Sequence, residues 1–336
     1  MLPALSLWSL ADAVASPLAD GGLINETFAV DVGSARVGYL QRLNTGIFVP
    51  EVHHDIEAVT THLAAVGVST PRILRTAAGA LWHTDPGGGV WRLLTPVGDR
   101  TVHSLEDPAD ARSAGALVAR WHAALGDLEW EFHSVRAGAH DTDAHLAGLV
   151  AAVEAHPDHR LAPAVAPLAA RIAEGWRTWN GPTELPARVI HGDLKVSNIR
   201  FIGSAAHALI DLDTCAWGTL DIELGDALRS WCNPASEDVE APTWRLDIFS
   251  AAMHGYASHS ALSAEEWSAV VPGCERICWE LAARFARDAL EERYFGWNPR
   301  FGGRGEHNLL RARGQAALAA SVRQQRGAAE AILRAL

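Results

Sequence analysis

Several things are scarce in this sequence, and each scarcity excludes something. Lysine occurs once in 336 residues, at Lys195, so arginine supplies every other fixed side-chain cation. Acidic residues outnumber basic ones, 40 to 28, for a net charge of −12. That balance leaves no basic footprint of the kind nucleic-acid binding needs. It tolerates a cationic small molecule, although acidic surplus mostly serves solubility. There are four cysteines, Cys215, Cys232, Cys274 and Cys278, and no C-x-x-C. Zinc and redox motifs are therefore missing, and a cytoplasmic protein with reduced thiols is expected. Residues 1–20 have no basic start and carry Asp12, unlike a secretory signal. No apolar run approaches the roughly 20 residues that span a membrane. G-x-x-x-x-G-K is absent, which excludes a Walker A site. Gly21-Gly22 falls far short of G-x-G-x-x-G.

What is present centres on Arg188 to Asp213. A β-branched pair, Val189-Ile190, runs into H-G-D-L-K-V-S-N, with Asp193, Lys195 and Asn198 at spacings of two and five. Ile199 to Phe201 and Ala208 to Leu212 read as two further short strands, separated by a turn at Gly203-Ser204. The last of them carries Asp211 and Asp213. Acids at strand ends are poor core residues, because a buried carboxylate must be paired or metal-bound. The order and spacing match phosphoryl transfer. There an Asp accepts the proton of a substrate hydroxyl, an Asn five residues on holds Mg²⁺, and an Asp on the next hairpin ties Mg²⁺ to the phosphates. Asp193, Asn198 and Asp211 fit those roles in order, with Asp213 as a second possible carboxylate. Lys195 stands where a compact ammonium suits a moving phosphate.

The loop H-G-D-L-K-V-S-N-I together with I-D-L-D-T resembles the aminoglycoside phosphotransferase and choline kinase superfamily, which shares the protein-kinase-like fold and acts on small molecules. A looser resemblance, to N-acetylhexosamine 1-kinases, is carried by three sets of segments. These are I-N-E-T-F-A-V from Ile24 with Y-L-Q-R-L-N-T-G-I-F from Tyr39, I-D-L-D-T with L-G-D-A-L-R, and H-N-L-L-R-A-R from His307. The resemblance implies an α+β, two-lobed fold: residues 1–97 as a nucleotide-binding lobe with an antiparallel sheet, and residues 98–336 as a mainly helical catalytic lobe. It also implies ATP and Mg²⁺ as cofactors. The phosphate acceptor would be a hydroxyl of a small molecule, either a sugar or N-acetylhexosamine, or else an aminoglycoside or amino alcohol. A fold of this kind that binds nucleotide without catalysis is the alternative of another class.

In order along the chain, Leu23 to Asp31 alternates as a strand, Gly33-Ser34 turns, and Arg36 to Leu43 returns. In a kinase small lobe such a hairpin covers the phosphates, which places Asn25 and Thr27 near the nucleotide. Arg42 is the candidate strand cation, since related enzymes use Arg there, and Glu57, on a helix expected over 49–67, is its candidate partner. Leu81 to Thr84, D-P-G-G-G and Val90 to Leu94 read as strand, turn and strand. Thr95 to Gly98 reads as the hinge. From Asp107 the period changes to 3.6, with Asp and Pro opening a helix to about Leu125. More helices are expected over 141–180 and 243–294. Asp226 and Arg229 lie three apart, as a brace for the catalytic loop or as a plain ion pair. The terminal Y-F-G-W-N-P-R-F loop and following helix offer Tyr294, Trp297 and Phe301 as a stacking surface. His307, Asn308 and Arg311 are candidate acceptor-binding groups, with helix capping and packing as the plainer account.

Overall fold

Period-two patterning and one tight turn build the first layer. The structure, a computed structural model, describes residues 2–18, 24–235, 237–260 and 262–336; the Gly21-Gly22 pair lies outside them. Strand β1 spans Val14–Pro17, β2 Glu26–Val32 and β3 Ala35–Arg42, with Gly33 at φ +59° reversing the chain between the last two. Glycine takes that conformation without steric cost. Short β4 (Ile73–Leu74) and β5 (His83–Thr84) flank β6 (Val90–Leu94). Together these strands form an antiparallel sheet ordered β1-β2-β3-β6-β4, with β5 also on β6. Alternation divides its faces. Val30, Leu40, Trp91 and Leu93 pack outward beneath Trp8. The cross-strand neighbours Gln41 and Arg92 belong to the opposite face. Helix α1, Val52–Ala65, lays Val52, Ile56, Val59 and Leu63 into the main core at helical spacing.

The rest is mainly helical. Helix α2 (Pro108–Ala124) starts as its sequence directs, with Asp107 accepting the Ala109 amide and Pro in the first turn. Helices α3 (Thr142–Ala155), α4 (Ala162–Arg177), α5 (Leu220–Trp231), α6 (Leu246–Ala257), α7 (Ala264–Glu291) and α8 (Arg304–Arg334) follow. A Ser263/Glu266 capping box opens α7. Helices α2 and α6 cross at glycines: a Cβ on Gly115 would lie 2.0 Å from the Ala252 carbonyl oxygen. Between helices sit two small sheets. Strands β9 (Ile199–Ile202) and β10 (Ala205–Leu209) join β7 (Arg100–Thr101), whereas β8 (Arg188–Ile190) pairs with β11 (Ala216–Gly218). The three strands expected around the site thus belong to two sheets, and the third ends at Leu209, because Asp211 turns left-handed at φ +66°. Among the described residues no helix is long and apolar enough to cross a membrane, and all four cysteines are buried and free.

Candidate active site

Strand β8 delivers the chain to His191, whose ring is fully buried with Nε2 2.9 Å from the Ile210 carbonyl. Gly192 then turns at φ +77°, and a Cβ there would stand 2.6 Å from the Thr214 carbonyl oxygen. One carboxylate holds this corner. Glu223 of α5 accepts the His191 and Gly192 amides at 2.8 and 2.9 Å, and His122 Nε2 lies 3.1 Å away. The His122 Nδ1 meets the Tyr256 hydroxyl at 2.9 Å. Burial alone would raise the Glu223 carboxyl, but the His122 hydrogen bond and the surrounding donors hold it below the usual range. Leu194 is anchored through its carbonyl to Trp231 Nε1 at 2.7 Å.

The functional groups project from this fixed loop. Lys195 Nζ donates to Asp193 Oδ2 at 2.5 Å and lies 3.9 Å from Asp211 Oδ2. Asn198 Nδ2 donates to the same Asp193 oxygen at 3.0 Å and to the Asp193 carbonyl at 2.8 Å. With its amide hydrogens so used, Asn198 keeps Oδ1 for a cation. The structure therefore brings Asp193, Lys195, Asn198 and Asp211 to one point. Desolvation works against the Lys195 charge, but Asp193 and Asp211 outweigh it and raise its pKa. Loss of surrounding water, and then the Asp213 charge, push the Asp211 carboxyl up to about 7. Asn198 and Asp211 are hard oxygen donors, as Mg²⁺ prefers; it commonly takes one or two such groups and completes its shell with phosphate and water. Among the described residues no three His, Cys, Asp or Glu form a metal-holding group.

Asp213 differs from the expectation of a metal ligand. Its carboxylate is 1% exposed and receives Arg92 Nη1 at 2.5 Å, Arg92 Nη2 at 2.6 Å and Asn25 Nδ2 at 3.1 Å. Arg92 also donates through Nε and Nη2 to Gln41 Oε1, at 2.9 and 2.8 Å. Gln41 Nε2 in turn donates to Thr27 Oγ1 at 3.1 Å, so Asn25 and Thr27 both enter this network. Arg42 and Glu57 do not form the expected pair. Arg42 lies over Trp91 on the outer face, 3.7 Å from Glu26, and Glu57 holds Arg75 at 2.8 Å. Strand parity explains it: Arg42 points to the outer face of the sheet with Trp91, and its neighbour Gln41 to the opposite face with Arg92.

Beyond Asp193, the Asp226 carboxyl is raised, by burial foremost, then partly restrained by Arg229, with the Asp193 charge adding to the rise. Arg229 bridges Asp226 at 3.0 Å and Glu237 at 2.9 Å, so Asp226 sits in an ion pair, and the carboxylate that braces the His191–Asn198 loop is Glu223. Three candidate acceptor groups are committed to their own chain. His307 Nε2 and Arg311 Nε meet Asp238 at 2.8 and 3.2 Å, and Phe301 stacks on His307 at 4.3 Å. Asn308 donates to Asp288, which also accepts the Arg293, Tyr294 and Phe295 amides. They knit the 292–303 loop to α8. Tyr294 and Trp297 stay open, 60% and 41% exposed. Arg92, Gln41 and Glu223 escape a reading by motif. The available signal was a lone Arg within the apolar run V-W-R-L-L, which a buried strand can hold only if it is paired.

Comparison with known proteins gives the following. The model described as "Phosphotransferase enzyme family" matches residues 15–262. A homoserine kinase of Methylobacterium nodulans is 33% identical over 177 residues, 51% of this chain and 50% of that protein. Another, of Methylorubrum populi, is 33% identical over 218 residues, 62% and 61% of the two chains. The chain thus spans about half to three-fifths of the length of these curated relatives. Among solved structures, an aminoglycoside phosphotransferase from Alicyclobacillus acidocaldarius superposes with TM-score 0.66 at 17% identity, covering 100% of this chain and 97% of that one. A microcompartment-associated aminopropanol kinase does so with TM-score 0.62 at 16% identity, covering 97% of both. At such identities the likeness concerns the fold, a protein-kinase-like one.

Proposed function

The chain belongs to the phosphotransferase enzyme family, and from that premise we propose that it moves the γ-phosphoryl group of ATP to a hydroxyl of a small organic molecule. The observation that carries the reading is the meeting of Asp193, Lys195, Asn198 and Asp211 within hydrogen-bond and ion-pair distances on a loop pinned by Glu223. Residues 1–97 then act as the nucleotide lobe and 98–336 as the catalytic and acceptor lobe. Asp193 uses the oxygen not taken by Lys195 and Asn198 to orient the acceptor hydroxyl and receive its proton. Lys195 offsets negative charge on the transferred group. Asn198 Oδ1 and Asp211 hold Mg²⁺, which when bound neutralises the outer phosphate oxygens.

The acceptor that fits best is an alcohol bearing an ammonium group, of the amino-alcohol or hydroxy-amino-acid kind. Asp226, whose carboxyl feels the Asp193 charge, and the half-exposed Glu237 place negative charge on that side. The names of the homoserine kinase relatives support the same class. A neutral N-acetylhexosamine remains the second reading, favoured by the exposed rings of Tyr294 and Trp297, whose faces suit a sugar. ATP consumption across homoserine, aminopropanol, choline, aminoglycosides, hexoses and N-acetylhexosamines separates the two. An amino alcohol or hydroxy-amino acid should lead by at least about tenfold in kcat/KM, and its KM should rise with salt. A sugar in the lead, insensitive to salt, selects the second reading. Nucleotide binding with no acceptor turned over refutes both.

A further inference from the structure

The inner face of the small-lobe sheet presents no free cation to the cleft at β3, where Gln41 stands, and α1 offers no carboxylate to brace one. Of the two acids on α1, Glu57 holds Arg75, and Asp55 accepts the Trp130 indole and the His133 and Ser134 amides. The fixed charge has moved one strand over, to Arg92, and its partner is Asp213, on the short 3-10 turn Leu212–Thr214 that begins directly after Asp211. Both side chains are almost fully buried, at 2% and 1% exposed. Arg92 is therefore shut off from solvent, and both Asp213 oxygens are engaged, by Arg92 and by Asn25. The geometry instead makes a bracket. Arg92 from β6, itself held by Gln41 of β3, and Asn25 just before β2 converge on one carboxylate two residues from Asp211. A bidentate guanidinium–carboxylate pair fixes angle as well as distance. Asp211 itself sits at φ +66°, a backbone state that its surroundings must hold.

We propose that Arg92 and Asp213 are positioning residues. Their buried ion pair registers the small-lobe sheet against the Asp211 loop and thereby sets the affinity for Mg²⁺-bound nucleotide, in place of a strand-to-helix pair. The inference rests on the nucleotide and Mg²⁺ reading given above. The bracket also makes the hairpin over the phosphates and the metal-holding carboxylate one mechanical unit.

Calorimetric ATP binding at graded Mg²⁺, without acceptor, tests this together with thermal melting. Arg92→Lys keeps charge but loses the planar fork; it should fold, and should need at least tenfold more Mg²⁺ for half-maximal ATP binding. Asp213→Asn should do the same with a lower Tm. Because a single deletion strands a buried charge, the double variant Arg92→Met/Asp213→Leu is the sharper probe. It should recover much of the Tm lost by Asp213→Asn while Mg²⁺-dependent ATP affinity stays at least tenfold down. Wild-type Mg²⁺ dependence in Arg92→Lys, or in a folded double variant, overturns the proposal. Failure of the wild-type protein to bind Mg²⁺ and ATP would instead overturn the functional reading beneath it.

Discussion

His53 should make the fold sensitive to acid, by an amount that follows from its surroundings. The ring is buried in the first turn of α1, stacked on Trp82 at 5.1 Å, with Nδ1 donating to the Pro50 carbonyl at 2.5 Å. Its Nε2 is buried with no hydrogen-bond partner among the described residues. A second proton would place a charge there without water and facing Arg92. Burial first, then Arg92, lower the His53 pKa to about 4, Asp213 opposing and His54 adding. In the unfolded chain the value is about 6.5. The folded pKa is the lower one, so the contribution is intact above about pH 6.5 and is lost as pH falls toward 4, where the unfolded chain alone has taken the proton. At 1.36 kcal/mol per pKa unit the whole effect is about 3 kcal/mol. Between pH 7 and pH 5 the lost part is about 2 kcal/mol. His53→Asn puts an amide donor where Nδ1 met the Pro50 carbonyl and cannot titrate. Urea denaturation at both pH values should show the wild type losing about 2 kcal/mol more than the variant. The remaining histidines are common to both proteins and cancel. Equal losses would refute the account.

Further outcomes follow from the site. Asp193→Asn should lower kcat about 10²–10⁴-fold, the range of a lost general base, and leave the ATP dissociation constant within about twofold. Asp211→Asn should abolish the Mg²⁺ dependence of ATP binding, read by calorimetry with and without EDTA. Glu57→Gln, which only releases Arg75, should change the KM for ATP less than about twofold, as fits a surface ion pair worth under about 1 kcal/mol. Gly192→Ala meets both a left-handed φ and the Thr214 carbonyl. It should lose at least about 1–2 kcal/mol from the backbone alone, with activity falling further than stability, by melting and turnover together.

Local spacing made the clustering of the H-G-D-L-K-V-S-N loop legible. Two and five residues of chain reach only so far, so H-G-D-L-K-V-S-N has to bring Asp193, Lys195 and Asn198 together wherever it lies. Helix starts were equally readable, because Asp107-Pro108 states a cap and a first turn in adjacent letters. What was hidden depends on faces and on partners far along the chain. Arg42 is the more obvious letter in L-Q-R, yet pleating turns it outward and gives the cleft to Gln41. The pairing of Arg92 with Asp213 joins residues 121 apart in sequence, and no local pattern encodes it. His307, Asn308 and Arg311 bear groups that suit a sugar, but the same donors also suit a loop that must be tied to a helix. In the structure they bond Asp238 and Asp288 of their own chain, partners the letters do not reveal.

The solitary lysine has a practical corollary. Apart from the N-terminal amine, every acylating, carbamylating or crosslinking reagent that seeks primary amines finds a single side-chain target in this sequence, Lys195. Its partnership with Asp193 and Asp211 keeps that nitrogen protonated and so slows its attack on such reagents. The rate of amine labelling becomes a gauge of how tightly the trio is closed. Amine-coupled immobilisation of this protein would, by the same token, tether it at the Asp193–Lys195–Asp211 cluster.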